Sequence, residues 1–274
     1  MTDTHIHTKV FSGDATLEYK ELLDHCRAHP DRIVCTTEHY DYDYPYINDK
    51  LIFDPKQYSQ TYNDRKSDYE RTYGVAYPVL FGTELGFIDH LNEVYNNFVS
   101  IYPFDFVIAS IHSVDGVDPY YDKEFYRKGK EKAYSDYLNH IIDMLICFDS
   151  FDSLGHYDYV CRYAPFEDPS MIYSDFPDLF DEIFKLLIRK DKALEFNSAT
   201  ASVFKRRGLA NYMPDPEIFH KYREAGGNLI TFGSDAHSVS NLFSLYDESI
   251  DLLRGSGFDH INFYKKRSPV ILDI

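Results

Sequence analysis

Along this chain an apolar run closed by one or two imidazole or carboxylate side chains is followed, again and again, by a stretch of helical periodicity. The runs at 1–7, 32–39, 77–84, 105–112, 151–156, 193–197 and 228–237 read as strands. Helical spacing is read at 17–29, 55–73, 89–101, 122–148, 177–190, 216–225 and 241–254, and a short strand at 261–264 finishes the chain. Pro30 closes the first helix and the pair Gly226-Gly227 the penultimate one, as helix stops do. Near-continuous apolar strands that alternate with helices predict a parallel sheet covered on its outer side. Seven such units without a linker predict one domain over residues 1–274, in the α/β class, of the barrel type related to (β/α)8. An open doubly wound sheet is the competing architecture. In both, functional side chains gather at strand C-termini.

The tips carry His5 and His7; Glu38 and His39; Glu84; His112; His156; Glu195 and Asn197; Asp235 and His237. One strand-end histidine is ordinarily a capping or solvated group. Six of the twelve histidines at such tips are too many for that account, whereas His25, His29, His90, His140, His220 and His260 fall on helices or loops and read as structural. Strand alternation puts Asp3, His5 and His7 on one face, with Cα atoms of the two histidines about 6–7 Å apart, close enough to converge on one cation. The donors are nitrogen and oxygen only, which suits Zn, Mn or Fe and is too rich in histidine for Ca or Mg alone. About ten such groups exceed one ion's needs, so two or three divalent ions about 3.5–4 Å apart are expected, an arrangement that activates water and clamps a phosphoryl group.

Composition narrows the partners. With 44% hydrophobic residues the chain has ample core, and 25 Tyr without a Trp suggests rings that are half buried or line a cleft. A formal charge of −17 argues against nucleic acid or an anionic membrane as partner, though not against a small phosphorylated substrate at a metal centre. Cys26, Cys35, Cys147 and Cys161 form no C-x-x-C pair and read as reduced thiols. With no signal-peptide pattern and no apolar run near 20 residues, a cytoplasmic location is expected.

In order, Asp3-x-His5-x-His7, Thr37-Glu38-His39, Gly82-Thr83-Glu84, Ser110-Ile111-His112, Gly155-His156 and Gly233-Ser234-Asp235-Ala236-His237 resemble the motifs of the polymerase-and-histidinol-phosphatase (PHP) superfamily. The His7-Thr8-x-x-x-Ser12-Gly13-Asp14 start, the Gly-His-Tyr-Asp-Tyr-Val run from Gly155, Glu195-Phe196-Asn197-Ser198 and the length resemble its stand-alone histidinol-phosphate phosphatases. The resemblance implies a distorted (β/α)7 barrel with a trinuclear site. One ion would take His5, His7, Glu84 and Asp235; a second would share Glu84 and add His112 and His156. A third would take His39, His237 and Asp14, with Ser12 a competing match for Asp14. Glu84, Asp235 and His237 would serve catalysis, Asp235 or His237 assisting the leaving oxygen. Asp3 would orient a ligand histidine from behind. Arg162, Arg206 and Arg207, each just past a strand tip, are candidates to bind phosphate oxygens, or are plain surface arginines. The acidic, aromatic insertion 40–54, with Tyr42, is read as a cover that meets the cationic end of histidinol phosphate, or as a solvated loop. Two alternatives stay open: another phosphoesterase acting on a phosphotyrosine, nucleotide or sugar phosphate, and a metal-binding scaffold without catalysis.

Overall fold

A computed structural model describes residues 1–44, 46 and 51–274. Seven parallel strands pair in sequence order: β1 (Thr2–Ile6), β2 (Ile33–Tyr40), β3 (Val79–Gly86), β4 (Phe106–Ser110), β5 (Ser153–Leu154), β6 (Ala193–Asn197) and β7 (Ile230–Gly233). A doubly wound sheet would reverse its order at a switch point; this one does not. It closes on itself instead. Across the β1–β7 seam His7 N–H donates to the Ala236 carbonyl at 2.9 Å, Ala236 N–H to His5 at 3.2 Å, and Thr4 Oγ1 to the Phe232 carbonyl at 3.0 Å. The architecture is a (β/α)7 barrel.

Alternation sorts each strand into two faces. Val34, Phe81, Val107, Ala109, Leu194, Phe196, Ile230 and Phe232 point outward and are buried beneath the surrounding helices. Those helices are α1 (Tyr19–Ala28), α2 (Pro55–Tyr73), α3 (Asn92–Ile101), α4 (Lys130–Cys147), α5 (Tyr159–Arg162), α6 (Pro177–Arg189), α7 (Ala199–Arg206), α8 (Pro216–Glu224) and α9 (Tyr246–Gly255). Local chemistry sets their ends. The Asp54 side chain accepts from Gln57 N–H at 2.9 Å with Pro55 in the first turn of α2, and Gly74 at φ 68° stops it. In α6, Phe180, Ile183, Phe184 and Leu187 recur at i, i+3, i+4 and i+7 and form its buried face.

The end of the chain departs from the sequence reading. The expected strand at 261–264 is one arm of an antiparallel hairpin, β8 (His260–Lys265) and β9 (Ser268–Asp273). Its two-residue turn holds Lys266 at φ 50° and Arg267 at φ 64°, a left-handed pair that sequences usually announce with Asn-Gly, so the signal was absent. The hairpin closes the N-terminal mouth of the barrel. Tyr264 packs with Cys35, Phe106, Ile108 and Ala193, its ring stacked on Phe106 at 5.1 Å between centroids. Asn262 Oδ1 accepts from Ile230 N–H at 2.9 Å, and Asp105 accepts from Lys266 N–H at 3.0 Å. Helices α5 and α7, just past the tips of β5 and β6, were also absent from the sequence reading; α5 has only four residues.

Candidate metal centre

At the opposite mouth the strand tips converge around Glu84, which is fully buried at the end of β3. Its Oε2 lies 2.9 Å from His39 Nδ1, 3.3 Å from His5 Nε2 and 3.5 Å from His7 Nε2. Its Oε1 lies 2.8 Å from His156 Nε2, 3.2 Å from His112 Nε2 and 2.6 Å from the donating Ser110 Oγ. Five imidazoles thus share one carboxylate. Asp235 Oδ1 sits 3.3 Å from His7 Nε2 and 3.7 Å from His5 Nε2. Towards solvent, His237 Nε2 lies 3.4 Å from His39 Nε2, and Asp14 Oδ2 approaches both, at 3.1 Å and 3.6 Å.

The local fold permits this crowding. A Cβ on Gly233 would fall 2.2 Å from Glu195 Oε1 and 2.5 Å from His5 Cβ, so only glycine fits beneath the β7 tip. Asp235 then takes φ 53°, a left-handed turn that aspartate tolerates better than most residues.

Electrostatics favour anionic, ligand-ready carboxylates. Burial opposes the charge on Glu84, yet His5, His112 and His39 outweigh it and hold its pKa well below the ordinary value. Asp235 behaves alike, with His5 and Arg162 overcoming burial. His7 goes the other way: burial and its cationic neighbours His39 and His237 keep it neutral, the form that binds metal. The fit to cations is visible in what lacks a partner. His5 Nε2, His7 Nε2, His39 Nδ1 and Glu84 Oε2 are buried without a hydrogen bond and face one another, and undonated nitrogens grouped around a carboxylate are what divalent ions satisfy. Three-residue groups with mutual ligand spacing among the described residues are His5, His7 and Asp235; His5, Glu84 and His156; His7, His39 and His237; and His39, Asp41 and His112.

Behind these groups stand carboxylates that orient them, and here the sequence reading needs correction. Asp3 does not reach a histidine side chain. It accepts from Ser234 N–H at 2.9 Å, Ser234 Oγ at 2.6 Å and Phe243 N–H at 2.9 Å, and so pins the β1–β7 seam. His5 is instead oriented by Glu195, with Oε1 2.7 Å from Nδ1, while Glu195 Oε2 accepts from His156 N–H at 2.8 Å. His112 is oriented by Asp41, which is buried, 2.6 Å from Nδ1, and not part of a solvated loop. Alternation gave a usable signal, since Asp41 shares a face with His39. Glu38 accepts from Thr8 N–H at 2.9 Å and Ser12 Oγ at 2.7 Å, which fixes the loop after β1. Ser12 is committed there; Asp14 is the residue at the rim.

Among the arginines, Arg162 is buried, only 8% exposed, and is no surface residue. Nη1 donates to Asp235 Oδ2 at 2.7 Å, Nη2 to Asn197 Oδ1 at 2.9 Å and Nε to Thr200 Oγ1 at 3.0 Å, so two of its five N–H groups have no acceptor among the described residues and can meet an anion. With Tyr163, Asp235 and His237 it lines both of two adjoining cavities. One, about 80 Å³, is lined by His39, His112, His156, Tyr44, Tyr159 and His237. The other, about 260 Å³, is lined by Tyr120, Tyr163, Ser202, Arg206 and Asn241. Arg207 lines neither; it reaches the Ala164 carbonyl at 3.5 Å and leaves the candidate set. Tyr42 is 43% exposed beside Tyr40 and lines neither cavity, while Tyr44 does. The rest of the expected cover, at 45 and 47–50, lies outside the described residues.

Barrel and rim together define a class: a (β/α)7 barrel whose strand tips converge on a cluster of histidines around one buried carboxylate, with the spacing to hold metal ions. The chain belongs to the PHP domain family, whose family model matches residues 3–199. It is 30% identical over 266 residues to a probable histidinol-phosphatase of Clostridium acetobutylicum, covering 97% of each chain. It is 29% identical over 260 residues to the histidinol-phosphatase of Lactococcus lactis, covering 94% of this chain and 92% of that one. The crystal structure of histidinol phosphate phosphatase from Lactococcus lactis, complexed with Zn, L-histidinol and phosphate, superposes with a TM-score of 0.85 at 28% identity over 98% of both chains.

Proposed function

We propose that this chain is a histidinol-phosphatase, a metal-dependent phosphomonoesterase that hydrolyses L-histidinol phosphate to L-histidinol and phosphate in histidine biosynthesis, in the cytoplasm. The observation that carries the reading is Glu84, one buried carboxylate faced by five histidines at the strand tips. The relatives named above and the zinc in the Lactococcus lactis structure support it. Two to three ions of Zn, Mn or Fe would be held by His5, His7, Glu84 and Asp235; by Glu84, His112 and His156; and by His39, His237 and Asp14. Divalent ions at such a centre supply Lewis acidity and bring the pKa of water to about 7.

The protein's own groups do the rest. Arg162 directs its remaining N–H groups at phosphate oxygens. Glu195 and Asp41 hold the His5 and His112 rings in place. Asp235, kept ionised by His5 and Arg162, and His237, whose pKa Asp14 and Asp235 raise against burial, are the two rim groups placed to assist the leaving oxygen. The larger cavity, with Tyr163, Ser202 and Asn241, receives the organic end. Helices long and apolar enough to cross a membrane are absent among the described residues.

Phosphate release should be followed with L-histidinol phosphate and with a generic aryl phosphate, before and after chelation and metal return. The expected result is chelator-sensitive turnover with kcat/KM about a hundredfold higher for histidinol phosphate. Equal, slow turnover of both would move the assignment to another phosphomonoester. No metal-dependent turnover would leave a binding scaffold.

A further inference from the structure

The hairpin that seals the barrel has one paired and one unpaired edge. In an antiparallel ladder closed by a two-residue turn, the pair next to the turn exchanges bonds and pairs then alternate. Here that pair is Lys265 with Ser268. Ser268, Val270 and Leu272 therefore bond inward to β8, in keeping with the 3.0 Å bond from Ile274 N–H to the Asp259 carbonyl one step further on. Pro269, Ile271 and Asp273 aim their backbone groups outward, where the described residues offer β9 no partner strand. The side chain at the middle of that edge, Ile271, is 62% exposed, the highest value among the exposed large hydrophobic residues described. Natural proteins rarely leave such an edge free.

Two features say what covers it. The edge is self-complementary about Ile271. In a two-fold antiparallel pairing, Ile271 of each copy exchanges N–H···O=C bonds with the other, and Asp273 N–H of each donates to the Pro269 carbonyl of the other. Pro269, which has no N–H, then falls at the end of the paired stretch; a register shifted to bring it to the centre loses bonds. Charge is complementary in the same arrangement. The turn of each copy presents exposed Lys265 and Lys266 to the end of the other that carries exposed Asp273. On a chain of net charge −17, copies repel over most of their surface, so a face where cations meet acids is where association is least opposed.

We propose that the β9 edge is the interface of an isologous homodimer, in which two hairpins join into one four-stranded antiparallel sheet beneath the barrels, with Ile271 on the two-fold axis. The pairing is short compared with stable interfaces, which bury roughly 1,200 Å² or more, so the dimer forms in a concentration-dependent way. The interface lies at the mouth opposite the metal centre and leaves that centre open.

The test uses the full chain in a Cys147→Ser background, which removes the exposed native thiol. Sedimentation over a range of concentrations should show a monomer–dimer equilibrium. Ile271→Pro removes the two central N–H donors without touching the β8–β9 ladder, and should weaken the dimer about tenfold or more at unchanged phosphatase activity and thermal stability. Ile271→Cys should form a disulfide-linked dimer under mild oxidation, because paired residues of this kind lie about 5.5 Å apart. Pro269→Cys or Asp273→Cys alone should not, whereas a mixture of the two should. A monomer at every concentration, a dimer indifferent to Ile271→Pro, or equal cross-linking from all three single-cysteine variants would overturn the proposal.

Discussion

The two mouths of the barrel are built from the same strands and behave as opposites. Read inward along β4, Phe106 and Ile108 give way to Ser110 and, past the strand end, His112; along β2, Cys35 gives way to Thr37, His39 and Asp41. At the N-terminal mouth the inward side chains meet Tyr264 in a small apolar cluster, which contributes burial. At the C-terminal mouth they leave buried nitrogens and carboxylate oxygens without hydrogen bonds, an arrangement that costs stability until cations satisfy it. Outside the barrel, the outward strand faces and the inner faces of the helices form one continuous apolar cluster. Stability and chemistry are thus divided along the strand axis, not between domains.

The strongest test of that division is at the hub. Glu84→Gln should lower kcat at least about a thousandfold and cost metal at two neighbouring positions at once, by elemental analysis, while Asp14→Ala affects mainly the ion next to His39 and His237. A Glu84→Gln protein with its full metal complement would remove the bridging role. The converse change at the other mouth, Tyr264→Ala, should lower unfolding free energy by about 3–5 kcal/mol in urea titrations while the folded protein keeps its KM and metal content. If Tyr264→Ala instead lost metal, the two mouths would not be independent. Smaller than either, the effect of Arg162→Ala should be a KM raised about tenfold or more with metal content unchanged, and an unaltered KM would remove Arg162 from the phosphate site.

The smallest effect concerns a buried acid beside the rim. Asp118 accepts from Tyr159 Oη at 3.1 Å and from Tyr120 N–H at 2.7 Å, and burial pushes its pKa up to about 7. From about pH 4 to about pH 7 the folded chain therefore keeps a proton that the unfolded chain has lost, so this group makes stability fall as pH rises through that window. Asp118→Asn should flatten that fall, with a difference from the parent on the order of 1–3 kcal/mol between pH 5 and pH 8. Parallel stability curves for the two proteins would show that Asp118 is not the source.

The strand tips were legible in the sequence because period-two alternation and a polar end leave a mark in seven separate places. The same rule showed which residues share a face, not which strand lies across the barrel. His5 meets Glu195 over 190 positions of chain, and His112 meets Asp41 over 71. Hence Asp3, which shares the His5 face, was given the orienting role that Glu195 has, and Asp41 was read as part of a loop. Arg162 stood out by its place after a strand tip, but its burial depends on Thr200 and Asn197, which only the fold brings near. The β8–β9 turn lacked its usual residues, and Pro269 at the head of the short apolar run Val270-Ile271-Leu272 argued against reading β9 as a strand.

One measurement bears most directly on the central claim, that the C-terminal mouth is a multinuclear metal centre. Crystals of the protein loaded with its native metal should be examined by anomalous diffraction at that metal's absorption edge. Two or three peaks about 3.5–4 Å apart are expected, set among His5, His7, His39, His112, His156 and His237, with Glu84 between two of them. Active protein with no peak at that mouth, or with a single ion that Glu84 does not touch, would contradict that claim.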